Sequence, residues 1–479
     1  MENNVNFTII CGDKKDTVFA PDGKRLFDFL TENGYYTASF CGGNGLCGKC
    51  LVTVDGKEEL SCRTDIKDGM TVLLPFKAQG VSSKSGIYET HEAPKKPFFA
   101  LDIGTTTLAL ALADSDSGAV SEVFVCDNPQ TAYGADVISR IGVCRNGGLE
   151  KLHSCLIKSV NSLLNKACEK YGIFCVDNLI VSANTTMLHL FLNVDCSLMG
   201  EAPYTPSFLD GQSVSGESIG IMKVRKIETL PCFSSFVGAD IAAGLLSLKK
   251  PKNEKWNFLF DLGTNAEIAM FSSDKVICTS AAAGPCFEGA NITCGMSATP
   301  GAVSSFKLLD GKKQIETVGG EKAVGICGTG LIDIIAELLK CAEIDETGYL
   351  ENEEPYEIAD TVYLYQKDIR EFQVAKSAVK SAAEILMKRA GVTEADVETV
   401  YLSGGFSSFI NTANASACGL FPFISDEKCC AVMNTSLAGA LKYGVNPAGL
   451  DKIMKNFQYI DLNADTDFSN SFIENINFD

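Results

Sequence analysis

The sequence predicts a multidomain α/β protein: a small cysteine-bearing module, a linker, and a larger domain built from two related halves. Three observations carry this. The stretch Cys41-Gly-Gly-Asn-Gly-Leu-Cys47-Gly-Lys-Cys50 is a C-x5-C-x2-C pattern, and Cys62 closes it after eleven intervening residues. An apolar strand ending in Asp-x-Gly-Thr and running into a second strand occurs twice, at Phe98–Ala113 and Trp256–Phe271, about 160 residues apart. Between the module and the halves, Lys77–Lys96 is rich in small and charged residues and lacks periodicity.

Residues 1–76 read as the module. Val5–Cys11 and Thr17–Ala20 alternate like a hairpin about Gly12-Asp13-Lys14, Leu26–Thr31 is a short helical patch, and Leu51–Val54 and Met70–Leu74 read as strands. Their order and size resemble the β-grasp ferredoxin domain. In the cysteine loop, Gly42, Gly43, Gly45 and Gly48 let the backbone wrap closely and aim N–H groups at sulfur. Thiolates bunched on such a loop, with one more from beyond a strand, are the ligand set of a 2Fe–2S cluster, here Cys41, Cys47, Cys50 and Cys62. A zinc site would more usually show two C-x2-C pairs or histidines. This chain has only His91, His153 and His189, none of them near the loop. Gly43-Asn-Gly45-Leu-Cys-Gly48 also matches the dinucleotide fingerprint, but it neither follows a first strand nor opens a helix, so nicotinamide binding is excluded.

Residues 77–97 read as a flexible linker that lets the module swing through tens of ångströms. Beyond it, strands alternate with helical stretches over 98–252 and 253–479, with the boundary at the charged run Lys249–Lys255. The 479 residues are 46% hydrophobic and 21% charged, as in ordinary globular proteins. A net charge of −19 argues against nucleic acid or an anionic membrane as partner. The start shows no secretory leader and no apolar run spans a bilayer, so the expected location is cytoplasmic. Twenty cysteines, scattered outside the loop, fit reduced and mostly buried thiols in a reducing, anaerobic cell.

The paired Asp-x-Gly-Thr turns carry phosphate chemistry. Glycine admits a phosphate close to the backbone, Thr hydroxyls and N–H groups donate to its oxygens, and an Asp at the strand end holds hydrated Mg²⁺. Asp102, Gly104, Thr105 and Thr106 form one turn; Asp261, Gly263 and Thr264 form the other. Val400-Tyr-Leu-Ser-Gly404-Gly405 is a strand entering paired glycines, which admit the flat face of a nucleoside. Gly284-Pro285 with Glu288-Gly289, and Gly325–Gly330 ahead of a helix, read equally as contact segments between the halves or as plain turns and helix starts. No P-loop motif occurs.

Asp102–Thr107, Asp261–Glu267 and Ser403-Gly-Gly-Phe together resemble the superfamily of acetate and sugar kinases, heat-shock chaperones and actin. That resemblance implies a duplicated actin-like, ribonuclease H-like ATPase domain. Joined to the cysteine module, the whole chain resembles the ATP-dependent reductive activators of corrinoid proteins, as do Asn128–Ile138, Ser182–Met187 and Ser234–Asp240. The resemblance implies an enzyme that returns a corrinoid protein of a methyltransferase system from Co(II) to Co(I). Its cofactors would be the 2Fe–2S cluster, ATP and Mg²⁺, and its partners a low-potential donor and the corrinoid protein, with a homodimer as an arrangement it permits. Asp102 and Asp261 would be catalytic. Gly104, Thr105, Thr106, Gly263, Thr264, Gly284, Gly404 and Gly405 would bind nucleotide. Three alternatives stand beside it: an activator of another enzyme, such as a 2-hydroxyacyl-CoA dehydratase; a redox-sensing metabolite kinase with Asp240 as its base; and a non-enzymatic redox-sensing binding protein.

Overall fold

Alternation builds the first module. The computed structural model describes residues 4–11, 14–33, 35, 43, 45, 50–74, 87–252, 254–309, 311–351, 355–404, 409–422, 426–463 and 465–478. Strands β1 (Asn4–Cys11) and β2 (Lys14–Pro21) pair antiparallel, and α1 (Leu26–Glu32) follows. With β3 (Leu51–Val54), β4 (Lys57–Leu60) and β5 (Thr71–Leu74) they make one sheet in the order β2-β1-β5-β3-β4, with β1 and β5 parallel. Phe7, Ile9, Val52, Val54, Val72 and Leu74 point to one face and bury against Leu26, Phe29 and Leu30 of α1. The sequence reading misses β4, because Lys-Glu-Glu-Leu is a polar edge strand without alternation. Its signal is the Asp55-Gly56 turn, whose φ values of 50° and 83° are those of a two-residue hairpin.

The first half is a lobe built from β6 (Pro97–Ile103), β7 (Thr107–Asp114), β8 (Val120–Asp127), α2 (Val137–Val143), α3 (Leu149–Tyr171), β9 (Val176–Ala183), α4 (Thr185–Phe191), β10 (Ser213–Ser215), β11 (Val224–Thr229) and α5 (Ala239–Ser247). Its sheet runs β10-β11-β9-β6-β7-β8. The second lobe opens with β12 (Trp256–Leu262), β13 (Ala266–Phe271) and β14 (Val276–Ala281). It continues through β15 (Ala302–Leu309), β16 (Lys312–Thr317), β17 (Gly325–Ile326), α6 (Gly328–Lys340), β18 (Tyr356–Ala359), β19 (Val362–Leu364) and α7 (Gln366–Ala390). It closes with β20 (Val397–Ser403), α8 (Thr412–Ala417), β21 (Cys429–Ala431), α9 (Thr435–Val445), α10 (Ala448–Lys455), β22 (Phe457–Tyr459) and α11 (Thr466–Glu474). Its main sheet runs β21-β20-β12-β13-β14-β22.

The two sheets repeat one plan. Each first strand is antiparallel to the next on one side and parallel to a later strand on the other, β6 between β7 and β9, β12 between β13 and β20. The register repeats too: Asp102 lies opposite Ser182, and Asp261 opposite Ser403. A buried strand flanked on both sides reads as a near-continuous apolar run, which is why Phe98–Ile103 and Trp256–Leu262 are so alike.

The halves are tied by a helix pair. α9 follows the second lobe's β21 yet packs on β6 and β9 of the first, with α5 lying against it. The pair approaches closely because a Cβ on Gly439 would sit 1.9 Å from the Ala243 carbonyl oxygen.

Part of the expected linker is docked rather than free. The Thr90 and His91 N–H groups donate to the Val120 and Ser121 carbonyls at 2.8 and 2.9 Å, making an extra rung on β8. The Lys95 and Lys96 N–H groups both donate to Asp114 Oδ2 at 2.8 Å, and with bonds from Ser117 they hold that carboxyl well below the usual carboxylate range. An edge strand with open carbonyls recruits the chain beside it. Residues 77–86 lie outside the described residues.

One open reading is settled, and the C-terminal tail proves to be packed. Gly328 and Gly330 do not join the halves: a Cβ on either would sit 2.0 Å from the carbonyl oxygen of Phe287 or Val303, so they let α6 pack closely inside the second lobe. The polar tail after Asp461 forms α11 and docks on α7. There the Ser377 hydroxyl donates to the Phe472 carbonyl at 2.5 Å, Gln373 Nε2 donates to the Ile476 carbonyl at 2.9 Å, and buried Lys376 reaches the Asn477 carbonyl. Among the described residues no two cysteines form a disulfide, and no helix is long and apolar enough to cross a membrane.

Candidate functional site: a carboxylate-lined cleft and a cysteine pocket

The two Asp-x-Gly-Thr turns stand at matching ends of β6 and β12. In the first, the Gly104 N–H donates to the Thr107 carbonyl at 2.9 Å; in the second, the Gly263 N–H donates to the Asn265 carbonyl at 3.0 Å. The first turn is braced from outside. Asn128 Nδ2 donates to the Gly104 carbonyl at 2.8 Å, and the Asn128 N–H donates to the Thr106 carbonyl at 2.8 Å. Arg140 Nη2 donates to the Thr105 carbonyl at 2.5 Å. Arg140 is fully buried, and its other acceptors, the Gly134 carbonyl, Gln130 Oε1 and Met187 Sδ, are as neutral as the first. Burial draws its guanidinium down to about 10.

Carboxylates converge between the turns. Asp102 Oδ1 accepts from the Ser436 hydroxyl at 2.6 Å, and that hydroxyl lies 2.8 Å from the Ser182 hydroxyl. Asp261 accepts from Ser403, whose hydroxyl is 3.1 Å from that of Thr435. Enclosure by protein, with only partial access to water, pushes Asp102 and Asp261 up to about 6. Asp240, at the start of α5, rises to about 7 from the same burial, and the charges of Asp261 and Asp102 add to it. Glu267, opposite Asp261 in register, is held well above the usual carboxylate range, by burial first and then by Asp240 and Asp261. Asp102 and Asp261, expected as a pair, therefore face each other across one cleft with Asp240 and Glu267 beside them.

The sign of the pH effect follows. Each of these carboxyls loses its proton at higher pH in the folded chain than in the unfolded one, so from about pH 4 to 7 the native state binds more protons. Their contribution is present at low pH and is lost as pH rises through the folded values. The nucleotide-free protein should therefore melt at lower temperature at about pH 7.5 than at about pH 5.5, and Asp240→Asn should flatten that slope. An unchanged slope in the variant would remove Asp240 from the cluster.

The remaining nucleotide positions divide. Gly404 has φ 103°, and a Cβ there would lie 2.6 Å from the Leu262 carbonyl oxygen, so only glycine lets β20 end against β12. Gly405 lies outside the described residues. Gly284, φ 77°, faces open space at the head of the short turn Pro285–Glu288. Thr106 is exposed at the cleft, while Thr105, Gly263 and Thr264 are half-buried. Thr264 donates through N–H and hydroxyl to Glu288 Oε1, at 3.0 and 3.1 Å.

Sequence reasoning missed Arg140 and Ser436, and it named Glu267 and Glu288 only within segments, the turn Asp261–Glu267 and the contact segment Glu288-Gly289, without giving either a role of its own. Glu267 carried a signal, a lone charge in the apolar run Ala266–Phe271. Ser436 carried another: Asn434-Thr-Ser repeats Asn184-Thr-Thr, and each Asn caps the helix that follows, α9 or α4. Arg140 and Glu288 are assembled only by the fold.

The cysteine pocket is separate. Cys50 and Cys62 are 1% and 7% exposed and share an apolar pocket with Phe27. Cys41 and Cys47 lie outside the described residues. The loop between is shaped for close approach: Gly43 has φ 79°, and a Cβ there would meet the Phe27 ring at 2.4 Å. Arg25 Nη1 and Arg63 Nη2 donate to the Gly43 and Gly45 carbonyls at 3.0 and 2.7 Å, pinning the loop. Two buried thiols beside a braced glycine loop fit a cluster with thiolate ligands. Among the described residues no three His, Cys, Asp or Glu side chains converge as a metal-ligand set.

A plant-type iron–sulfur module joined to a two-lobed actin-like ATPase is the class of protein that this fold and cleft define. Three family descriptions divide the chain in the same way. The 2Fe-2S iron-sulfur cluster binding domain matches residues 9–72, the RACo middle region 99–251, and the C-terminal domain of RACo, the ASKHA domain, 255–479. The corrinoid activation enzyme RamQ of Eubacterium limosum is 31% identical over 422 residues, covering 80% of this chain and 71% of that one. The [Co(II) methylated amine-specific corrinoid protein] reductase of Methanosarcina barkeri is 27% identical over 390 residues, covering 74% and 71%. The solved structure of a reductive activator for corrinoid, iron-sulfur protein superposes with a TM-score of 0.69 at 24% identity, covers 98% of both chains, and shows the same fold. This chain belongs to the family of reductive activators of corrinoid proteins. That membership sets aside both the dehydratase activator and the metabolite kinase.

Proposed function

We propose that the chain returns a corrinoid protein from Co(II) to Co(I), passing one electron from a low-potential donor through its cysteine pocket while Mg–ATP is held between the lobes. The observation that carries this is the duplicated phosphate turn. Two Asp residues at equivalent register, on lobes tied by one helix pair, meet across a single cleft in a chain whose other module buries cysteines. When bound, a 2Fe–2S centre supplies one-electron storage near −400 mV, and Co(I) corrinoids demand a lower potential. Each 59 mV uphill is about a tenfold unfavourable ratio for one electron, so ATP must bias the step.

The chain's own residues divide the work. The Thr105, Thr106 and Thr264 hydroxyls and the turn N–H groups donate to phosphate oxygens. Gly404, which lets β20 end against β12, marks the strand end beside which the adenosine would lie. Asp102 and Asp261 would hold the water ligands of a Mg²⁺ brought in with the nucleotide; among the described residues no three side chains converge as protein ligands, which suits an ion that keeps its waters. Their raised proton affinity falls once a cation neutralises the cleft. Lobe movement about α5 and α9 is then the link between nucleotide and electron delivery. Cys50 and Cys62, with Cys41 and Cys47, hold the cluster.

An anaerobic assay with purified chain, low-potential donor, Mg–ATP and a corrinoid protein tests the reading through cobalt absorption. Asp261→Asn should slow ATP-dependent Co(I) formation by about a hundredfold or more while leaving the iron content unchanged. Co(I) appearing equally fast without ATP would refute the proposal.

A further inference from the structure

We propose that Glu288 is an internal stand-in for phosphate: its carboxylate occupies the second phosphate turn of the nucleotide-free chain, and ATP displaces it on binding. This rests on the reading of Thr264 as a phosphate donor.

A single oxygen of Glu288 takes both Thr264 donors, the N–H at 3.0 Å and the hydroxyl at 3.1 Å. It also sits over the turn's glycine, since a Cβ on Gly263 would lie 3.3 Å from it. An N–H and a hydroxyl converging on one point form an anion site, and a carboxylate competes with a phosphate oxygen for the same donors. The incumbent is held by little else. Its neighbourhood is acidic: Glu288 raises the proton affinity of Glu267, and Asp136 raises that of Glu288. Burial adds to this, so the anion in the turn is under electrostatic pressure to leave.

The fold gives it somewhere to go. Arg140, whose acceptors are all neutral, attracts Glu288 from the first lobe, and each shifts the other's proton affinity in the sense of attraction. A released carboxylate therefore swings toward the opposite side of the cleft, and ATP arrival at one lobe pulls a charge toward the other.

The segment carrying Glu288 has one free end and one fixed end. Gly284, φ 77°, has open space about it, while Gly289, φ 80°, is enclosed by the Met296 backbone at 2.3 Å from its would-be Cβ. Between them Phe287 is buried and lies edge-on to Phe372 of α7, ring centroids 6.0 Å apart. Displacement of Glu288 thus reaches α7, the long helix on which the C-terminal tail is docked.

The test is nucleotide binding without turnover. Glu288→Gln keeps shape and an acceptor while removing the charge; with Mg²⁺ and AMP-PNP it should bind roughly tenfold tighter than wild type by calorimetry, and Glu288→Ala should also bind more tightly. In wild type, AMP-PNP should raise hydrogen exchange over residues 284–290, and in Glu288→Ala that segment should already exchange fast. A purely structural role would move neither readout in these directions. Equal or weaker binding by Glu288→Gln, whether or not Glu288→Ala folds, overturns the proposal. Failure of wild type itself to bind AMP-PNP removes the phosphate-turn reading, and the stand-in with it.

Discussion

A Cys62→Ser chain is expected to lose Co(I) formation completely while binding ATP as wild type does, within about twofold. The two functions sit in separate cores: Cys62 packs with Cys50 and Phe27, and the ATPase lobes have their own clusters. Serine is close to cysteine in volume, so the pocket keeps its packing. What is lost is the thiolate, the group that binds iron, since a serine hydroxyl does not ionise in this range. Iron and sulfide content, the visible spectrum and the reduced-state EPR signal report the cluster, and calorimetry reports the nucleotide. An unshifted, full-intensity cluster spectrum would remove Cys62 from the ligand set.

Gly439→Val should give the second large effect, with the loss reversed in location. Its side chain would have to occupy space 1.9 Å from the Ala243 carbonyl oxygen and 2.6 Å from the Ala243 Cα, both backbone atoms that no rotamer change can move. The α5–α9 crossing must then open. Overpacking of this kind costs about 3 kcal/mol or more, and the ATPase melting transition should fall by more than about 5 °C. ATP affinity should fall with it, because Asp240 rides on α5 and Ser436 on α9. The cluster spectrum should stay as in wild type. Wild-type melting in the variant would mean that the helices separate without cost, and the hinge role of this pair would be lost.

The architecture was legible where one strand carries its own signature. Phe98–Ile103 and Trp256–Leu262 announce two buried central strands, and the Asp-x-Gly-Thr that ends each announces the turn, so the duplication and the Asp102–Asp261 pair follow from local residues. The cysteine loop is legible for the same reason: its glycines and thiols are neighbours in the chain. Arg140 was not, and Glu288 was legible only as part of a candidate contact segment between the halves. Each is an ordinary charged residue on a short helix or turn, and each acquires meaning only from what is folded against it: the Thr105 carbonyl in one case, the Thr264 N–H and hydroxyl in the other. The docking of Ile87–Lys96 was hidden likewise, because an edge carbonyl on β8 leaves no mark on the sequence that will pair with it.

That docked stretch sets a working radius for electron delivery. Ile87 packs against the core that includes the first lobe, ahead of the Thr90 and His91 bonds to β8, so only the thirteen peptide links from Leu74 to Ile87 separate the cysteine module's last strand from that anchor. Fully drawn out they span at most about 45 Å. Whatever surface the corrinoid protein uses, its cobalt must come within a sphere of that size, plus the module's own width, centred on the outer edge of β8. Donor and acceptor must both dock within that reach of the β8 edge, and lengthening the chain before Ile87 would widen the sphere without touching either site.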